Sequence, residues 1–230
     1  MPSLYLNHIP TSVAQKMLLA VGSSAMALID PFRHDMVAVS GEVMGNNSHQ
    51  RMYEQMRRST EGREVLTDKP RINTTTVDLQ KLASLPVGTL GYEYVKFMND
   101  NNITCDSRMP VRFVDNADHA YVVQRYREIH DMVHLLLRMP TTMLGEVVVK
   151  WIEAVQTDLP MCWGAAIFGA IRLAPKQRRN YVNLYLPWAL KAAHETKPFI
   201  PIYYEKRWEQ NIEDLRKELN IPAAPETLKR

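Results

Sequence analysis

Apolar residues recur along most of this chain at three- and four-residue steps, the spacing that places them on one side of an α-helix. The strongest case begins at Asp115. Tyr121, Val122, Ile129, Val133, Leu136 and Met139 share the pattern. Asp115 or Asn116 can cap its start, and Pro140 ends it. Thr141 or Thr142 caps the next helix, which runs to about Thr157. Nearer the start, Val13, Met17, Leu18, Val21 and Met26 mark a helix from Thr11 or Ser12 to about Leu28. Asp30-Pro31 stops it, because the residue before a proline resists helical dihedrals. A second helix covers Arg33 to Val43. Gly45-Asn46-Asn47-Ser48 is a turn, followed by a polar helix over 50–58 and a short one over 61–66. Residues 70–76 are an extended connection. Helices over 78–85 and 90–101 flank Pro86-Val87-Gly88. The apolar stretch 161–171 precedes a helix opened by Pro175 and kinked near Pro187. A last helix over 201–219 keeps Ile212, Leu215 and Leu219 on one face.

No segment alternates persuasively with the two-residue period of a strand. The pattern predicts an all-α fold, a single-domain multi-helix bundle of about eight to ten helices. Residues 1–10 form an extended N-terminal lead-in, 11–221 one all-helical metal-binding domain, and 222–230 a flexible tail. The 230-residue length suits one domain with its own core.

Composition narrows the function classes. The formal charge of +3 is too small to argue for nucleic acid, but suits a peripheral contact with anionic lipid. Cys105 and Cys162 lie far apart and form no CxxC pair, which predicts no disulfide framework and a reducing compartment. No apolar run reaches the roughly 18 residues that span a bilayer. Met1–Asn7 carries no Arg-rich amphipathic presequence, so import into an organelle would rest on a presequence outside this chain or on an internal signal. There is no Walker loop, GxGxxG, GxSxG elbow or cysteine-metal pattern.

The chemistry concentrates in His130-Asp131-Met132-Val133-His134, with Glu146 beyond Pro140 on the next helix. At about 100° per residue, His134 sits roughly 40° from His130 and Asp131 roughly 100° away. Two imidazoles and two carboxylates can therefore meet between two consecutive helices as a divalent-metal site. A solvated helix face is the plain alternative for two histidines four apart. Leu135, Leu136, Leu137 and Met143 argue against it by supplying apolar surroundings, where unpaired charge is costly. The histidine spacing matches the zincin HExxH, with Asp131 in place of the glutamate. Asp131 is then a ligand or a base behind the ligands. Zinc is the default ion; two histidines and one carboxylate also suit non-haem iron or another divalent metal.

Other features are weaker. His34-Asp35-Met36-Val37 repeats the tetrapeptide, but Ala38 stands where the second histidine would be, so it cannot make the same site. Arg33 and His34 can approach the pocket from another helix. Tyr126 shares the face of His130, as a packed ring or a group that orients a ligand. Arg125, Arg127 and Arg138 are candidate cations for a substrate carboxylate, against the plainer reading of a solvated face. The 161–171 stretch is a buried core helix, or else the wall of a lipid tunnel or a face dipping into a membrane.

The HDxxH segment, eleven further residues and then Glu146 resemble the signature of the mitochondrial coenzyme Q (ubiquinone) biosynthesis protein 4 family of animal type. So do Pro31-Phe32-Arg33-His34-Asp35-Met36-Val37, Arg112-Phe113-Val114-Asp115, Gln124-Arg125-Tyr126-Arg127-Glu128, Val149-Lys150-Trp151 and Tyr203-Tyr204-Glu205. The resemblance runs from about Pro10 to Ile221. It implies a helical zinc protein, peripheral on the matrix side of the mitochondrial inner membrane, within a complex of ubiquinone-biosynthesis enzymes. It implies His130, Asp131, His134 and Glu146 as metal ligands and catalytic residues. The implied reaction is C1 decarboxylation of 4-hydroxy-3-methoxy-5-polyprenylbenzoate to 2-methoxy-6-polyprenylphenol. The competing expectation is a non-catalytic lipid-binding scaffold with a structural zinc.

Overall fold

A computed structural model describes residues 3–30 and 33–225, apart from the side chain of His34. Among these residues the fold is all-α. The helices are α1 (Val13–Ile29), α2 (His34–Met44), α3 (Asn46–Arg58), α4 (Thr60–Asp68), α5 (Leu79–Ala83) and α6 (Leu90–Asn101), then α7 (Ala117–Leu137), α8 (Met143–Thr157), α9 (Pro160–Ile171), α10 (Pro175–Asn180), α11 (Leu186–Glu195) and α12 (Ile212–Glu218).

The core is built around α7. Every residue from Val122 to Leu137 is buried, so this stretch of the helix has no solvent face. Its charged side chains therefore need partners inside the protein. Arg127 donates to Glu42 at 2.7 Å, and Glu128 accepts from Arg71 at 2.7 Å. Arg125 forms a bidentate pair with Glu205 and also donates to the Ile202 carbonyl. These pairs tie α7 to chain segments far away in sequence. They also account for Arg125 and Arg127, which are structural cations rather than substrate cations. Arg138 pairs with Glu213 at the surface.

Several boundaries differ from the pattern-based expectation. The 201–219 segment is helical only over Ile212–Glu218, after a short 3-10 turn at Tyr204–Lys206. The backbone of 208–212 is taken up elsewhere: Leu90 N–H donates to Gln210, Gly91 N–H to Trp208, and Ile212 N–H to Gly88. Asn211 then caps the true helix start. The expected turn at 45–48 is only a one-residue break, and α3 starts at Asn46. There the His49 ring meets the Gly41 carbonyl at 3.0 Å, in the notch left by Gly45. Residues 73–76 are a compact turn tied by the Asn73 side chain, not an extended strip. Helix α7 stops at Leu137, before Pro140, with Arg138 in the left-handed region at φ 55°. The kink near Pro187 is a π turn over Tyr181–Tyr185, which joins α10 and α11. Both cysteines are free and buried.

Of the lead-in, Tyr5 O–H donates to the Val114 carbonyl and His8 pairs with Asp115. At the other end, Ala224 packs against the core; 226–230 lie outside the described residues.

Candidate metal centre

The break between α7 and α8 is short and tightly built. Arg138 ends α7, and Arg216 donates to the Leu135 and Leu136 carbonyls at 2.7 and 2.9 Å, satisfying the end of the helix. The Thr142 hydroxyl caps α8 by accepting from Gly145 N–H. A Cβ on Gly145 would lie 1.9 Å from the Pro140 carbonyl oxygen, so only glycine allows this approach. The consequence is positional. Glu146 enters in the first turn of α8, facing the last two turns of α7.

His130, His134 and Glu146 converge there, each offering a ligand atom within 4.8 Å of the others. His134 Nε2 lies 3.2 Å from one Glu146 oxygen, and His130 Nε2 lies 3.5 Å from the other. Four-coordinate bonds of about 2.05 Å would separate neighbouring donor atoms by roughly 3.3 Å. The two separations bracket that value. The imidazole rings stand nearly perpendicular, at 87°.

The outer ring nitrogens are held by the protein. His130 Nδ1–H donates to Glu153 at 2.7 Å, and His134 Nδ1–H donates to the Met139 carbonyl at 3.2 Å. These partners set the tautomers, leaving both Nε2 lone pairs toward Glu146. His134 Nε2 is buried and makes no hydrogen bond: its approach to Glu146 has ion-pair distance without hydrogen-bond geometry. Three donors with unused lone pairs fit a divalent ion of the zinc or non-haem iron type.

Asp131 does not join this group. Its Oδ1 accepts from Arg108, and its Oδ2 is buried without a partner. The structure thus brings together three of the four expected side chains, with the fourth beside them. His34 as a contributor lies outside the described side chains, and Arg33 pairs with Asp35.

A second layer of charge lies under His130. Glu153 accepts from Lys150 at 2.6 Å and from Tyr126 O–H at 2.8 Å. Cys162 sits 3.1 Å from the same phenol. Burial opposes the charge on Glu153, but Lys150 and His130 outweigh it and hold its carboxyl well below the usual range. Glu146 is likewise depressed, its contacts with His130 and His134 outweighing burial. Burial and Lys150 work against charge on His130, yet Glu153 and Glu146 raise its pKa above the ordinary value. Burial pushes the Cys162 thiol up to about 12, which disfavours its thiolate.

Sequence reasoning missed Glu153, Lys150 as a buried cation, and Arg108. The first two had a signal: Glu146, Lys150 and Glu153 recur at steps of four and three on α8, one charged stripe amid Val147, Val148, Val149 and Ile152. Arg108 had none, since a connector 23 residues from Asp131 shows no periodic relation to it.

Residues 5–225 match the family described as coenzyme Q (ubiquinone) biosynthesis protein Coq4. Among curated relatives, the Anopheles gambiae protein named ubiquinone biosynthesis protein COQ4 homolog, mitochondrial, is 57% identical over 215 residues, covering 94% of this chain and 76% of that one. The Aedes aegypti protein of the same name is 56% identical, covering 94% and 78%. A crystal structure from Nostoc punctiforme, 17% identical, has the same fold, with a TM-score of 0.69 over 93% of this chain and 100% of that one.

Proposed function

The chain belongs to the coenzyme Q (ubiquinone) biosynthesis protein Coq4 family, and on that premise we propose that it is a metal-dependent carboxy-lyase of ubiquinone biosynthesis. Its substrate is 4-hydroxy-3-methoxy-5-polyprenylbenzoate, and its product is the 2-methoxy-6-polyprenylphenol. One observation carries the reading: the Nε2 atoms of His130 and His134 face the Glu146 carboxylate with lone pairs unused. When bound there, a divalent cation supplies Lewis acidity toward the substrate's carboxylate or ring oxygen.

The chain's own residues do the rest. Glu153 and the Met139 carbonyl lock the two imidazoles. Loss of CO2 requires one proton delivered to the ring carbon that carried it. In this reading Asp131 takes up a solvent proton on its unpartnered oxygen and passes it to that carbon, so it is a carrier rather than a fourth ligand. Three protein ligands would leave a bound ion open to substrate, which favours catalysis over the scaffold with a structural zinc.

The location follows from the family and the surface. We assign the chain to the matrix side of the mitochondrial inner membrane, as a peripheral member of a ubiquinone-synthesis complex. Among the described residues no helix is long and apolar enough to cross a membrane. Helix α1 buries only Ser23 and exposes Val13, Met17, Leu18 and Val21. Helix α9 exposes Ile167, Phe168 and Ile171. Arg172 joins the two helices by donating to the Leu28 carbonyl. Residues 159–194 contain five Lys or Arg and no Asp or Glu, which suits an anionic lipid surface.

The test is CO2 release from the prenylated hydroxybenzoate by the purified chain. Stripping the metal, Glu146→Ala or His130→Ala should abolish it, and zinc should restore the stripped wild type. Full-rate release by stripped protein would overturn the reading.

A further inference from the structure

Beside the three ligands lies a second set of polar atoms without partners. Tyr94 Oη, Arg108 Nε and Asp131 Oδ2 are all buried and make no hydrogen bond. Tyr94 is fully buried on α6, Asp131 nearly so on α7, and Arg108 comes from the connector after the 3-10 turn at Cys105–Ser107. Arg108 donates to Asp131 Oδ1, and Tyr94 lies within electrostatic reach of both. Burial disfavours the charge on Arg108, but Asp131 and then Glu146 and Tyr94 outweigh it. Buried donors without acceptors are uncommon in native proteins and call for an occupant. Here the unused donors are a phenol and a guanidinium N–H, the pair that two carboxylate oxygens accept.

Charge points the same way. With a divalent ion on His130, His134 and Glu146, the ion and Arg108 carry three positive charges. Glu146 and Asp131 carry two negative ones, while Lys150 and Glu153 neutralise each other. One positive charge is left, and a partly buried group favours a counter-charge beside it. Arg108 and Glu146 are the partly exposed members, with 28% and 37% of their side chains open, so the group is reachable from solvent.

We infer that Arg108 and Tyr94 form an anion subsite beside the metal ligands that takes the carboxylate of a monoanionic aromatic acid. Asp131 holds the guanidinium in place from the other side. The inference rests on the proposed reaction for the identity of the acid, and its test separates the two.

Zinc-loaded full-length chain is titrated calorimetrically with 4-hydroxy-3-methoxybenzoate and, separately, with its methyl ester. The wild type should bind the acid about ten-fold or more tighter than the ester. Arg108→Gln and Arg108→Lys should lower acid affinity about 10- to 100-fold, and Tyr94→Phe about five-fold, with ester affinity and zinc content unchanged. If Arg108→Gln does not fold, Arg108→Lys and Tyr94→Phe carry the test, since the first keeps the charge and the second keeps the ring. Equal affinity of the wild type for acid and ester would overturn the subsite and leave its atoms to ordered water. An acid preference that survives Arg108→Lys and Tyr94→Phe would overturn it as well. If Arg108 governs acid binding but no CO2 is released, the subsite stands and the decarboxylase reading falls. If CO2 release and acid affinity are both unchanged in Arg108→Lys, the subsite falls and the decarboxylase reading stands.

Discussion

Replacing Glu153 by glutamine should damage the protein in a way its sequence position does not foretell. The side chain is 3% exposed, and its two oxygens accept from His130 Nδ1, Tyr126 Oη and Lys150 Nζ at 2.6–2.8 Å. Glutamine offers one acceptor oxygen and turns an NH2 group toward donors. Lys150, 16% exposed at its side chain, loses its counter-charge. Breaking one side of such a pair costs about 3–5 kcal/mol. In a chain of this size that lowers Tm by roughly 6–20 °C. The assay is urea and thermal unfolding of metal-stripped protein, so that ion binding does not enter the stability. Zinc affinity, measured separately, should fall about 10- to 100-fold because His130 loses its orienting partner. The double variant Glu153→Leu with Lys150→Met removes both charges and should cost less than Glu153→Leu alone, giving a favourable coupling in the cycle with the two single changes. If Glu153→Gln unfolds within about 0.5 kcal/mol of wild type, the buried network does not support the site and this reasoning is wrong.

Gly145→Ala pushes a Cβ against the Pro140 carbonyl and displaces the first turn of α8; zinc affinity should drop at least ten-fold, and unchanged affinity in a titration would refute the positional role of this contact. In stripped protein, the raised pKa of His130 gives a contribution that is full below 6.5 and is lost as pH rises through the folded value. Metal binding instead needs neutral imidazole, so the Tm increase produced by zinc should grow between about pH 6 and 8 and should not stay flat in scanning calorimetry. His49 behaves oppositely: burial lowers it to about 4, so its contribution is present above 6.5 and is lost as pH falls toward 4. His49→Gln should flatten the stability profile across that window in acid titrations. Leu18→Glu and Phe168→Glu should reduce sedimentation with cardiolipin-containing vesicles and leave Tm within about 2 °C, because both side chains are exposed; equal sedimentation would remove α1 and α9 as the lipid face.

The legible parts of this fold are those governed by local chemistry. Asn116 and Thr142 cap their helices as the pattern predicts, and the 90–101 helix matches at both ends. The 201–211 stretch misled because its apolar residues satisfy tertiary contacts, with Arg125 and the backbone of 88–91 competing for a segment that would otherwise coil. The site divides in the same way. His130 and His134 are one turn apart on a helix, so their shared face follows from spacing alone. Asp131 has the spacing too, but a cation from a remote connector claims it. Glu42, on the same helix as the repeated tetrapeptide, is a buried anchor for Arg127 and for the Arg112 and Phe113 N–H groups.

On the reading above, His130, His134 and Glu146 together hold one divalent ion. Zinc titration of stripped full-length chain, with stoichiometry from elemental analysis and ligands from X-ray absorption, tests it most directly. One equivalent bound through two imidazole nitrogens and carboxylate oxygen, lost on His134→Ala and weakened at least ten-fold in Glu146→Gln, is the predicted result. Wild-type affinity retained in both variants, or absorption spectra without imidazole ligands, would contradict it.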